Sequence, residues 1–268
     1  MRTFSLGGVH PNDNKISKDA KIEDFPIPQI AYISMSQHLG APAEPIVAAG
    51  DKVKVGQLIA NANGFISAPV HSSVSGTVKG IEMIKDLAGN MTKAVVINVE
   101  GDEWVDTIDR TPDIKREIEL DAKAIIDRIK ECGVVGLGGA TFPTCVKLSP
   151  PPGKRAEFLI INGAECEPYL TSDYRVLVEM PEQVLIGAAI MMKALGVSKG
   201  FIGIEENKPE AIRIMQEHAV KYNGIEIVPL KKKYPQGGEK QLIDAVVGRR
   251  VPSMGLPIDT GAVVQNVG

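Results

Sequence analysis

Four stretches hold the residue types that handle phosphates, ribose hydroxyls and flat heteroaromatic rings. The first is 133–147, GVVGLGGATFPTCVK, where Gly136, Gly138, Gly139 and Ala140 precede Phe142 and Lys147. Glycines let backbone N–H groups approach a phosphate or a ring closely, and the lysine adds a point charge. A tight helix-to-loop turn explains the same glycines equally well. The cluster follows a helical pattern rather than a strand, so it is not the strand-turn-helix dinucleotide fingerprint. The second stretch is 160–175, IINGAECEPYLTSDYR, with Asn162, Glu165 and Glu167 at the end of an apolar strand pattern. Carboxylates there suit ribose hydroxyls or a cation if they face a crevice, and a solvated loop if they do not. Asp173 and Arg175 read as a local ion pair. The third is 234–242, YPQGGEKQL, where Gly237 and Gly238 open a helix that begins at Glu239 and whose N-terminus can take an anion. The fourth is 261–268, GAVVQNVG, which carries Asn266.

Other chemistries lack their residues. Cys132, Cys145 and Cys166 are widely spaced, and three thiols cannot supply the four ligands of an iron–sulfur cluster. Odd in number, they fit a reducing, cytoplasmic compartment. His10, His38, His71 and His218 are scattered and read as structural or surface residues, with no triad or metal-ligand set. A net charge of −3 with a pI near 5.9 argues against a broad nucleic-acid surface. The 4% aromatic content argues against a stacking platform for single strands. The lysine run 231–233 reads as a solvated loop. No apolar run reaches the ~18 residues of a membrane span, and the opening MRTFSLGGVHPNDNK lacks the apolar core of a secretory signal.

The elements that must position these residues fall into two kinds. From about 40 to 100 the chain reads as short strands punctuated by glycine. Within it AGDKVKVGQLIA (49–60) and SAPVHSSVSGTV (67–78) follow the order of the barrel-sandwich hybrid fold of biotinyl and lipoyl domains. The region matching their modified hairpin, ISAPVHSSVSG, has no lysine, so a structural barrel is expected rather than a carrier. Beyond a polar connector at 101–117, helical and strand patterns alternate. Ala122, Ile125, Ile126 and Ile129 share a helical face between a capping Asp121 and a stop at Gly133. Strands are expected at 157–162, 199–204 and 225–230, with helices at 181–196, 209–222 and 239–248. Such alternation means an α/β layer with mostly parallel strands.

Taken together and in this order, the four stretches resemble the flavoprotein module of the NADH-oxidising subunit of respiratory complex I. They resemble still more closely the C-subunit family of the Rnf electron-transport complex. The opening Thr3 to Pro11 (TFSLGGVHP) with Lys15, the preceding barrel and the wording AECEP at 164–168 carry that likeness across the whole chain. The resemblance implies an N-terminal arm (1–29), a barrel-sandwich hybrid (30–107) and a Rossmann-like α/β domain (108–268) that binds FMN and NADH. By the same likeness Gly136, Gly138, Gly139 and Ala140 would wrap FMN and the adjoining nucleotide, and Lys147 and Asn266 would hold the FMN phosphate. Asn162 and Glu165 would contact the flavin and its ribityl chain, Glu167 the NADH side, and Phe142 the adenine. Glu206, Gly238 and Glu239 map onto the same site less closely.

The sequence departs from the complex I pattern where Leu137 replaces an arginine, Thr141 a glycine and Ala164 an aspartate. Family members continue into a β-grasp-like domain and two 4Fe–4S motifs, so these 268 residues read as a piece of a longer protein. The family's place is the cytoplasmic side of the inner membrane, reached only through partner subunits, with ferredoxin served through the complex. The implied function is electron input into an ion-translocating complex. The alternative is a non-catalytic scaffold with a degenerate flavin pocket.

Overall fold

A computed structural model describes residues 1–86 and 89–268 of the chain. Two packed units emerge, and they are interleaved in sequence. One comprises 1–23, 114–126 and 147–268, the other 24–113 and 127–146. Against the linear division at 29 and 107, residues 1–23 of the arm group with the α/β residues, while 24–29 and the glycine-rich segment group with the barrel.

The second unit is built from two antiparallel sheets. One orders β1 (Ile30–Ser34), β7 (Met91–Val99), β6 (Gly76–Lys85) and β3 (Lys52–Val53) side by side. The other orders β2 (Glu44–Pro45), β4 (Leu58–Asn61) and β5 (Val70–His71). Alternating residues from both sheets, including Ile33, Val53, Ile59, Val70, Val78, Val95 and Ile97, form its core. His38 is structural, as its sequence context suggests: it is buried, and its Nε2 lies 3.1 Å from Ser67 Oγ.

The first unit is a four-stranded parallel sheet in the order β10 (Ile225–Leu230), β9 (Gly200–Glu205), β8 (Phe158–Gly163) and β11 (Ala262–Asn266). Helices α3 (Ser172–Glu179), α4 (Pro181–Leu195) and α5 (Pro209–Ala219) pack together beside it, and α6 (Glu239–Val247) packs on β8 and β9. Ile160, Val228, Leu230 and Val264 share a core with Leu242, Ile243 and Val246 of α6. Leu159 and Ile161, on the opposite face of β8, are equally buried. Burial of both faces explains the unbroken apolar run FLII.

Helix α1 (Ala122–Glu131) starts where the Asp121 side chain accepts the Ala124 N–H at 2.8 Å. Pro181 opens α4, and Gly196 closes it in the left-handed conformation. Two elements differ from the sequence reading. Residues 172–179 and 262–266, to which the sequence reading assigns no helix or strand, form the helix α3 and the strand β11.

Candidate functional site

Parallel strands present their carboxyl ends on one edge, and there the loop residues gather. The register pairs Asn266 of β11 with Asn162 of β8, so both asparagines stand side by side where the two strands end. Asn162 donates from Nδ2 to Gly237 O at 2.8 Å, and its Oδ1 accepts the Ala164 N–H at 3.1 Å. It therefore ties the end of β8 to the loop that opens α6. Gly237 fits there only without a side chain, since a Cβ would lie 2.3 Å from Ala164 O. The Gly237 N–H in turn donates to Cys166 Sγ at 3.4 Å, and burial pushes that thiol's pKa up.

Asn266 donates from Nδ2 to Asp173 Oδ2 at 3.0 Å. That overturns the pairing of Asp173 with Arg175, whose guanidinium instead binds Glu179 one helical turn away. Asp173 sits in the first turn of α3, where burial raises its pKa. Its own backbone N–H donates to Glu165 Oε1 at 2.9 Å. Glu165 is buried, its Oε2 has no hydrogen-bond partner, and the nearest cation is Lys15 Nζ at 3.7 Å. Desolvation raises the Glu165 pKa, against the pull of Lys15 and Lys208. Glu205 and Lys208, also buried, pair at 3.3 Å directly behind this cluster.

Lys147 ends the short helix α2 (Thr144–Lys147) and donates to Glu239 Oε1 and Val264 O, both at 2.8 Å. Gly238 caps α6 with extended backbone, and Glu239 is its first residue. Seven expected residues (Lys147, Asn162, Glu165, Glu167, Gly238, Glu239 and Asn266) thus belong to the edge where β8 and β11 end. Glu167 is exposed, with its carbonyl bound by Lys15. Glu206 lies just beyond β9, exposed, with Oε1 accepting the Lys232 N–H at 3.2 Å.

The other five expected residues belong to the barrel-containing unit. Gly138, Gly139 and Ala140 are exposed, and Gly136 donates its N–H to Phe142 O at 3.1 Å. Gly139 has φ +93°, and a Cβ built on it would meet no atom of the chain. Thr141, standing where a glycine was expected, has φ +43°, a conformation that a β-branched residue adopts at a cost.

Sequence reasoning missed Asp173, Lys208, Glu205 and the depth of Lys15. Asp173 was obscured because it was read as the ion-pair partner of Arg175, whereas it accepts from Asn266 and gives its N–H to Glu165. The lysine run also needs correction: Lys232 pairs with Asp13, and Lys233 Nζ lies 4.0 Å over the Phe4 ring.

The donor set suits a flavin nucleotide. Amide side chains and carboxylates match ribityl hydroxyls and ring edges, a lysine matches a phosphate, and a buried carboxylate oxygen lacks its hydrogen bond. Among the described residues there is no His, Cys, Asp or Glu group able to hold a metal.

Residues 129–268 match the family model described as the Nuo51 FMN-binding domain, and residues 3–102 match the RnfC barrel sandwich hybrid domain. The chain is 49% identical over 264 residues to the C subunit of a proton-translocating ferredoxin:NAD(+) oxidoreductase complex from Clostridium ljungdahlii, covering 98% of this chain and 57% of that protein. It is 46% identical over 266 residues to the C subunit of a Na(+)-translocating ferredoxin:NAD(+) oxidoreductase complex from Acetobacterium woodii, covering 98% and 59%. Among solved structures, an NAD+-reducing [NiFe]-hydrogenase in the H2-reduced state aligns with 55% of this chain and 29% of that one, at 27% identity and a TM-score of 0.47. The chain spans less than two thirds of the length of these curated relatives.

Proposed function

Because the chain belongs to the RnfC family, with the Nuo51 FMN-binding domain as its second half, we propose that it binds FMN and NADH. It would serve as the electron-input module of an ion-translocating ferredoxin:NAD oxidoreductase complex. The observation that carries this reading is the paired Asn162 and Asn266 at the ends of β8 and β11, joined to Glu165, Asp173 and the Gly237–Gly238 loop.

NADH yields two electrons as a hydride, iron–sulfur clusters accept one at a time, and a bound flavin converts between the two. The chain's residues then need only bind, orient and exclude water. Lys147 would meet the FMN phosphate by exchanging its Glu239 partner for a phosphate oxygen, one charge-assisted contact for another. Asn266 would give its amide to the same phosphate. Asn162 and Glu165 would face the ribityl chain and ring, and Glu167, exposed at the rim, would take the NADH side. The exposed Gly138–Ala140 backbone, with Gly136 before it and Phe142 after it, would line the nucleotide. Glu206, just beyond β9, would belong to the same nucleotide site.

The remaining subunits of the complex would be the partners, with ferredoxin reached through them and no role for nucleic acid. Attachment to the membrane would run through those partners on the cytoplasmic face. Among the described residues no helix is long and apolar enough to cross a membrane. Iron–sulfur chemistry would belong to the rest of a full-length family member.

Flavin fluorescence during FMN titration tests the proposal. Saturable quenching in the parent, weakened in Lys147→Ala, is the expected result. An unquenched parent would leave the chain a scaffold.

A further inference from the structure

Resting on that reading of the crevice, we propose that Lys15, from the N-terminal arm, is a positioning residue for the nucleotide site. It holds the main chain of 165–170 in its working shape.

Its ammonium donates to three carbonyl oxygens of that one loop: Glu165 at 2.9 Å, Glu167 at 2.8 Å and Leu170 at 2.5 Å. An ammonium has three protons, so the loop uses all of them. The Lys15 side chain is only 12% exposed, and Glu165 Oε2 lies 3.7 Å from its nitrogen. Burial and the nearby Lys208 both lower the Lys15 pKa, while Glu165, Glu205 and Cys166 raise it. The charge is thus kept at a desolvation cost, which the three carbonyls and Glu165 offset.

The neighbouring contacts serve the same loop. The Tyr169 N–H donates to Asp13 O at 2.9 Å, and Ser17 Oγ lies 2.7 Å from Thr171 Oγ1. Lys208 Nζ donates to the same Glu165 carbonyl at 3.2 Å from the opposite side in sequence. Asn207 anchors the arm in turn, donating to Asp13 Oδ2 at 2.8 Å. Tyr169 has φ +70°, a conformation a tyrosine does not adopt unaided. A strained loop without regular structure needs fixed partners, and the arm supplies them. The loop carries Glu165 and Glu167, so its shape sets where both carboxylates meet a ligand.

Two readouts on the 268-residue chain test this with Lys15→Met, which keeps the length and removes the charge, and Lys15→Arg, which restores donors. The first is amide hydrogen exchange of the ligand-free protein. In Lys15→Met, amides 165–171 should exchange at least about tenfold faster, with the β8–β11 sheet unchanged. The second is nucleotide affinity. In Lys15→Met the Kd for NADH should rise by about tenfold or more, with partial recovery in Lys15→Arg. Unchanged exchange at 165–171 would overturn the clamp. Faster exchange with unaltered NADH affinity would overturn its role in the site. A parent that binds neither FMN nor NADH would overturn the functional reading instead, and the exchange result would then judge the clamp alone.

Discussion

Lys147 and Gly139 would recognise the same ligand by different physics, so their substitutions should fail differently. Lys147→Ala removes one charge-assisted contact to the phosphate, on the order of 1.5–3 kcal/mol before the Glu239 pairing given up on binding is set against it. FMN affinity should therefore drop by up to roughly 10- to 150-fold. At Gly139 the added Cβ of Ala meets nothing in the chain, and only the φ of +93° opposes it, at about 1–2 kcal/mol of stability. Loss of FMN binding by a still-folded Gly139 variant would therefore report ligand in that space. A titration in which both variants match the parent would place the site elsewhere. Glu167→Gln should weaken NADH more than FMN, which paired titrations of the two ligands would check. Glu165 and Asp173 make a pH prediction. Burial raises both pKa values above 4.5 and 3.8, so the folded chain holds protons that the unfolded chain has released. Their contribution to stability is complete below those ordinary values and is lost as pH rises through the raised ones. Glu165→Gln should flatten the fall in Tm from about pH 4.5 towards neutrality, and an unchanged slope would count against the burial argument. Asn162 and Glu165 were legible as residues where a strand ends because a strand's end is legible. Lys208 and Glu205 were not, because nothing in their spacing reveals that β9 brings them behind Glu165.

At the scale of elements, punctuation determined what could be read. Asp121, Pro181, Gly196, Pro209 and Gly248 mark helix ends in the sequence and stand at helix ends in the structure. Asp121→Ala should cost about 1 kcal/mol by loss of the Ala124 cap, measured by urea unfolding; a cost near zero would mean the cap is frayed in solution. Helix α3 escaped because SDYRVLVE follows a Pro-Tyr-Leu loop and its apolar residues Tyr174, Val176, Leu177 and Val178 mix helical and alternating spacing; only Tyr174 and Leu177 prove to be buried. Strand β11 escaped because five residues beside a glycine carry too little pattern alone; it is pairing with β8 that makes them a strand. The barrel strands were readable as a class from their glycine spacing, though two-residue strands such as β2 and β3 depend on partners far away in sequence.

At the scale of the whole molecule, the order of barrel and α/β patterns was legible while the interleaving was not. Periodicity identifies elements, but it does not say that residues 1–23 pack with 147–268, or that 127–146 pack with the barrel strands. The same scale bounds the redox chemistry of these residues. Three cysteines, none in a disulfide and none within a metal-binding group among the described residues, predict that the isolated chain binds no cluster. Iron and acid-labile sulfide should be absent on analysis; about four of each per chain would refute this. Anaerobic addition of NADH to the FMN-loaded chain, with flavin absorbance followed, tests whether the bound flavin takes the hydride. Bleaching of one flavin per NADH is the predicted result. Bound flavin that keeps its full absorbance in excess NADH would contradict the account.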